Sequence, residues 1–578
     1  MASTTEDTCQ LEKFIVTEQE EAANAVSFPA SSGEDSTFQE VEEVKMTIKA
    51  WSYGFSFWII PVFSAIESEV AVKVGIVSIS DVTWWMPLYL FCNASSQILF
   101  ASNSDLFGRR WFLIVGNILV FTGLLVIGAG VNTKMIMAGC VIQGIGAGLA
   151  QLAAFALPEL LPNRLRHVGI VISDIGTWLD VVLGPVAGRY AIRHGDQWRW
   201  LFYGPAIGVA GIVATLYLVY YPPKHPRGIP WHQAIKNLDY GGAMLYSIGG
   251  SLVFSGIVQT TTIPASDPKV FGTLVSGFGV LVAFALYEHF MPLRAALTPP
   301  HIFAKDKGRE FTFPFIAGTI SNMGYFATNV AFLTQVEVFW TSPTSSLSYT
   351  LAIILPQNLG LPLGQVFVGL FGSKIRHWRT QYFVAIFLSV LFGTLLALGT
   401  KHNMALMMVF SFLCQFGFGY QVPLSMTFLQ FGAPQTELGV SGGLAGGGKW
   451  TGAWLASSIY TTVLSNSLRN ESKHKVPAAA IKAGLPAADV PALMIALNQG
   501  SDALEKVPHM TGSILAAARN SLFDSYTIAI RNVCLCSLGF GVVCLIAICL
   551  CQDITPKMTP KTEVFLENDI NAEKNKYH

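Results

Sequence analysis

The side chains best placed to do chemistry in this chain are a few charges set within long apolar stretches. Asp180 sits in the run Gly176-Thr177-Trp178-Leu179-Asp180-Val181-Val182-Leu183-Gly184-Pro185-Val186-Ala187-Gly188. A charged, unpaired carboxylate in such surroundings is costly, which suits reversible protonation. Asp180 is expected to hold a proton or a cationic substrate group; the plainer alternative is a fixed hydrogen bond to a neighbouring helix. Asp174 lies six residues earlier, about 120° round the helix; it is a further proton or substrate candidate, with simple hydration nearer the cytosolic end as the plainer alternative. Lys449 follows the run Gly442-Gly443-Leu444-Ala445-Gly446-Gly447-Gly448. The spacing matches the start of a phosphate-binding loop, but no strand precedes it and Trp450 replaces the metal-binding Ser or Thr. A glycine-rich helix is expected instead. Lys449 is then a buried ammonium that holds an anionic substrate group or pairs with a carboxylate, unless it can snorkel to an interface. Finally, Asp105-Leu106-Phe107-Gly108-Arg109-Arg110 joins a carboxylate, a turn at Gly108 and two guanidinium groups. Such a cluster can exchange ion-pair partners as helices move; the alternative is an N-cap with a basic anchor.

Helices that cross a bilayer must position these groups. Of 578 residues 52% are hydrophobic and 12% charged, against about 25% charged in soluble proteins. Apolar blocks recur that are long enough to cross a hydrocarbon core of roughly 30 Å. Spans are expected at about 48–66, 84–103, 111–131, 134–155, 168–188, 200–221, 240–260, 270–290, 312–336, 349–371, 381–400, 404–426, 438–463 and 527–551. Twelve is the competing count. Lys and Arg concentrate in alternate loops (Arg109, Arg110, Arg164, Arg166, Lys224, Arg227, Lys236, Arg294, Lys305, Lys307, Arg309, Lys374, Arg376, Arg379), which places both termini in the cytosol. Gln143, Gln151, Asn322, Asn329 and Gln415 are the leading polar candidates for lining a cavity, although each alone is most simply an interhelical hydrogen bond.

The zero net charge excludes a global basic field for nucleic acid. The nine cysteines fall mostly inside apolar spans and show no zinc spacing. No nucleophile–base set or metal cluster is visible, so neither an enzyme nor a cofactor or metal site is expected. Residues 1–46 are acidic and lack an apolar leader segment, and read as a disordered cytosolic tail. Residues 465–525 form a long outer loop with short helical patterns broken by Pro477, Pro486, Pro491 and Pro508, either a partly folded cap over an outer vestibule or an inert connector. It carries the sequon Asn470-Glu471-Ser472, expected to be glycosylated if it faces outward.

The run from Asp105 to Arg110 resembles the signature loop of the major facilitator superfamily, with Ala101 where that pattern begins with Gly. The stretch from Gly176 through Gly184, Pro185 and Gly188 resembles the antiporter motif of exporting facilitators, with Asp180 at its first Gly and Arg189 at its last. A third facilitator motif has an Arg where this chain has Cys140, so proton coupling cannot be carried over from that position. Beyond the motifs, residues 45–555 are most similar to the fungal fourteen-helix facilitators of the trichothecene efflux pump group. This similarity rests on Ser104–Arg110, Trp198-Arg199-Trp200-Leu201-Phe202-Tyr203, Gly372-Ser373-Lys374-Ile375-Arg376-His377-Trp378-Arg379 and Ala453-Trp454-Leu455-Ala456-Ser457-Ser458-Ile459-Tyr460.

The resemblance implies an all-α polytopic fold of two six-helix bundles, 47–222 and 296–551, joined by two linker helices within 223–295 and followed by a cytosolic tail, 552–578. It implies a monomer in membrane lipid that exports a hydrophobic toxin, drug or secondary metabolite against protons by alternating access. The plasma membrane is the expected location, with vacuolar or vesicular membranes as alternatives. Uptake of an iron chelate, and a receptor that binds without transport, are the competing functions.

Overall fold

The computed structural model describes residues 49–559 except 53, 61, 64–69, 72–81, 108, 153–160, 193–194, 221–234, 237, 265, 292, 294–295, 343–344, 435–436 and 500–506. Both tails, 1–46 and 560–578, lie outside the described residues, as do Gly108 and the side chains of Asp105 and Arg109.

The described residues are helical and contain no strand. Residues 49–63 are largely helical and precede α1 (Trp85–Phe107), α2 (Arg109–Gly128), α3 (Thr133–Gln151), α4 (Arg166–Ser173), α5 (Ile175–Ile192) and α6 (Trp200–Val219). Next come α7 (Tyr240–Gln259) and α8 (Pro268–Phe290), which pack chiefly on each other. The second half holds α9 (Thr312–Gln335), α10 (Leu347–Ile375), α11 (Trp378–Leu395), α12 (Met404–Gly432), α13 (Leu438–Lys482), α14 (Val490–Gln499) and α15 (Gly512–Leu550).

Side-chain caps set several starts. Asn132 Oδ1 accepts from Met135 N–H at 2.9 Å, and Asp239 Oδ1 accepts from Gly242 N–H at 2.8 Å; each satisfies a backbone donor that the helix leaves open. Ten of the described helical segments are long and apolar enough to cross a membrane. α1, α9 and α13 have 23, 24 and 45 residues but carry more polar side chains. Gln97, Asn322 and Lys449 are among them.

Within the first half α2 packs on α3 and α6, and α1 on α3; within the second, α10 packs on α12, α9 on α13 and α15, and α11 on α12 and α15. The halves meet where α1 crosses α13, α5 crosses α10 and α4 crosses α12. The glycine run makes the first crossing close: a Cβ on Gly443 would lie 1.9 Å from the Ala101 Cβ, and one on Gly447 2.3 Å from Ile98 Cγ1. Only glycine fits there.

The loop expected at 465–525 is largely helix. α13 continues past 463 through Pro477 to Lys482, and α15 begins at Gly512. Pro477 removes one backbone bond, and its partner carbonyl at Lys473 lies on an exposed turn where water can satisfy it. At 1.5 Å per residue α13 is about 68 Å long, roughly twice the hydrocarbon core. It therefore overhangs the membrane, where Val476, Ala480, Leu493 and Ile514 bury a small core of their own. Asn470 lies exposed on this overhang.

Candidate functional site

The helix carrying Asp180 breaks at its start. Asp174 stands at the junction of α4 and α5, its carbonyl accepting from the Thr177 hydroxyl at 2.7 Å. From there Asp174, Thr177, Val181, Pro185 and Arg189 follow at intervals of three and four, so they form one stripe. All five line cavities between the halves. The stripe extends about 22 Å along the helix.

The inner cavity, of about 30 Å³, is lined by Asp174, Thr177, Gln365, Asn322, Lys449 and Trp450, with Phe57, Leu361, Phe418 and Val422 as apolar wall. It has room for about two waters. Asp174 Oδ2 accepts from Gln365 Nε2 at 2.7 Å, and Gln365 Oε1 accepts from Trp178 Nε1–H. Asp174 is 5% exposed, so the plainer alternative of a hydrated group near the cytosolic end is set aside: its place on the stripe turns it inward. Lys449 is close enough for electrostatic interaction with Asp174, and its Nζ lies 5.2 Å from the centre of the Trp450 ring. Asn322 Nδ2 donates to the Lys449 carbonyl at 2.6 Å. A half-buried lysine and a buried carboxylate thus line one small cavity, where their attraction offsets part of the cost of removing each from water.

The outer cavity, about 250 Å³, shares the walls Val181, Tyr325 and Phe326 with the inner one. Ile60, Met86, Val330, Leu333 and Ile354 make it apolar; Asn329, Thr334, Asn358, Ser457 and Thr461 supply uncharged polar groups. Arg189 Nη2 meets Glu337 Oε1 at 3.1 Å at its rim, joining α5 to the π-helical turn Val336–Trp340 that ends α9. Asn329 Oδ1 accepts from Gln357 Nε2 at 2.7 Å.

Gly176, Asp180, Gly184 and Gly188 form the neighbouring stripe of α5. A Cβ on Gly176 would lie 2.5 Å from the Ala50 carbonyl oxygen and 3.0 Å from the Gly54 Cα, so the stripe packs at Gly176 against residues of the first half. Asp180 is buried beside Tyr89, lines neither cavity, and its Oδ2 has no hydrogen-bond partner among the described residues. Gln151 Oε1 accepts from Gln97 Nε2 at 2.7 Å and from Trp450 Nε1 at 2.6 Å, tying α1, α3 and α13 together. Gln143 and Gln415 are buried away from both cavities, and neither side-chain amide has a partner among the described residues. Of the expected cavity residues, Asn322 and Asn329 line the two spaces. Gln365 and Glu337 were missed. Asn358, Leu361 and Gln365 share a helical face by their spacing, which is the signal that could have exposed Gln365; Glu337 carries none. Of the charge cluster only Arg110 has a described side chain. Its Nη2 donates to the Tyr217 carbonyl at 2.9 Å.

Helices arranged in this way define a class of membrane transporter. The structure resembles that of the proton:xylose symporter XylE of the major facilitator superfamily, with a TM-score of 0.50 and 16% identity, covering 75% of this chain and 90% of that one. The family described as "Fungal trichothecene efflux pump (TRI12)" matches residues 55–577, and the chain belongs to it. Similar proteins include the MFS-type transporter prx5 of Penicillium rubens, 37% identical over 92% of this chain and 96% of that protein. The trichothecene efflux pump TRI12 of Fusarium sporotrichioides is 25% identical over 83% and 81%, and the MFS-type efflux transporter pyiT of Pyricularia grisea is 25% identical over 84% and 78%. The chain is a multi-span membrane protein and an efflux transporter of this superfamily, not an enzyme.

Proposed function

We propose that this transporter exports an uncharged, largely apolar small molecule, such as a toxin or secondary metabolite, in exchange for protons. The observation that carries the reading is the buried Asp174 carboxylate, held from the opposite half by Gln365 at 2.7 Å with Lys449 lining the same cavity. With Asp174 charged, Lys449 and Gln365 hold α5 to α10 and α13. A proton on Asp174 removes the attraction to Lys449 and frees the halves to move. The outer cavity suits the substrate: its walls are apolar, its polar groups uncharged, and its one ion pair neutralises itself. Asp180, buried in the first half, is the second acid available to carry a proton.

In this account the bundles 47–222 and 296–551 rock about these cavities, with 240–290 as linker helices, fourteen spans in all, as a monomer. Both termini and the start of α4 face the cytosol, the overhang of α13 and α15 faces outward, and the plasma membrane is the site of action. The test is substrate-stimulated proton flux in sealed proteoliposomes. Neutral apolar metabolites should discharge an imposed pH gradient while permanently charged analogues should not. Discharge by ferric chelates alone would favour uptake, and binding without any flux would favour a receptor.

A further inference from the structure

The short segment after α15 does more than end the last span. Gln552 N–H donates to the Arg309 carbonyl at 3.0 Å, and Asp553 Oδ1 accepts from Arg379 N–H at 3.4 Å. Ile554 is buried in the cluster with Phe428 and Phe431. Lys557 Nζ donates to the Phe431 carbonyl at 3.1 Å and pairs with Glu310 at 3.0 Å. All of these fix the segment to the second half. Its tip then crosses to the first half: the Thr559 carbonyl accepts from Arg164 N–H at 3.0 Å, and its Oγ1 accepts from Asn163 Nδ2 at 3.3 Å.

The crossing falls where the halves are already closed. The Arg166 guanidinium lies 4.8 Å from the centre of the Phe431 ring, the His167 ring lies tilted against Trp378 with ring centres 4.9 Å apart, and Val171 packs against Gly369. Phe431 is therefore held by its ring from the first half and by its carbonyl from Lys557. The anchor is broad and the tip is narrow, the proportions of a latch. A rigid connection would have comparable bonding on both sides.

We propose that residues 551–559 form a strap that holds this face shut, and that its tip must release Asn163 and Arg164 before the inner side can open. The inference rests on the alternating-access reading above, but needs neither a particular substrate nor proton coupling. Two ordinary hydrogen bonds correspond to about a tenfold bias in the closed-to-open ratio.

The test is the alkylation rate of Val171→Cys, a position buried between α4 and α10, by a hydrophilic maleimide in proteoliposomes. Cys9 and Cys549, the latter exposed, are replaced by Ser throughout. Ending the chain after Lys557 should raise the rate about tenfold, and Thr559→Val in the intact chain about threefold, while a chain ended after Thr559 should match full length. The Thr559→Val variant carries the test should the shortened chain fail to fold. Unchanged rates in chains lacking the tip, while full-length protein still responds to pH or substrate, would overturn the strap. A raised rate in the chain ended after Thr559 would also overturn it, by assigning the closure to residues beyond the strap. No response to pH or substrate in any chain would defeat alternating access, and the strap with it.

Discussion

Gln365 on α10 donates to Asp174 at the α4–α5 junction at 2.7 Å, and its own carbonyl oxygen takes the Trp178 indole N–H. One side chain of the second half is thus spent on fixing the position of an acid in the first. Removing it strands a buried carboxylate and an indole donor together. Gln365→Ala should lower gradient-driven transport severalfold at normal surface expression, whereas Gln365→Glu should be worse, because it sets a second carboxyl beside Asp174. Initial rates in vesicles check both.

Lys449 shares the inner cavity with Asp174. Lys449→Ala takes a neighbouring cation away from that buried carboxylate, which leaves its charge less compensated. Turnover or affinity should fall by at least tenfold. Lys449→Arg should retain part of the activity if charge alone matters. Concentration-dependent uptake into inverted vesicles separates the two parameters.

Arg189 and Glu337 close the rim of the outer cavity at 3.1 Å, with Glu337 partly in solvent. A pair of this kind is worth about 0.2–1 kcal/mol. Arg189→Glu and Glu337→Arg should each change transport by up to about fivefold, and the double swap should restore it. A swap no better than either single variant would show that the two side chains do not act together.

Glu310 lies between Lys305 at 2.7 Å and Lys557 at 3.0 Å. Burial pushes its carboxyl up, but the two ammonium groups outweigh burial and hold it below its ordinary value of 4.5. Because the folded pKa is the lower one, the stabilisation is complete above the ordinary value and is lost as pH falls through the folded value. Glu310→Gln should therefore melt below wild type at about pH 6, with the gap closing towards about pH 3. Thermal unfolding in detergent at both pH values decides this.

The overhang of α13 carries Asn470 on its exposed side. If it faces outward, protein made in a glycosylating host should lose mass on endoglycosidase treatment, and Asn470→Gln should already have the lower mass. An unmodified Asn470 with a protected overhang in intact cells would reverse the orientation.

Much of the fold was legible because a bilayer demands long apolar helices, and their lengths show in the sequence. The glycine ridge of α5 was legible for the same reason, since small residues every four positions must mark a close approach. Which charge faces the centre was not. Asp180 drew attention through the apolar run around it, yet the adjoining stripe from Asp174 to Arg189 lines the cavities, one helical step away. The stripe runs through Asp174 at regular helical spacing, and no local motif announces which stripe faces the cavities. Gln365 was hidden because one glutamine in an apolar helix reads as an ordinary interhelical contact. Pro477 misled in the opposite direction, since an exposed helix tolerates it.

The most direct test of the central claim is transport of a neutral apolar metabolite into proteoliposomes with an imposed pH gradient, comparing wild type, Asp174→Asn and Asp180→Asn. The account predicts that wild type accumulates substrate only with the gradient. It predicts that Asp174→Asn still exchanges substrate but no longer responds to the gradient, and that Asp180→Asn keeps the response at a reduced rate. Gradient-driven accumulation by Asp174→Asn at the wild-type level would contradict it.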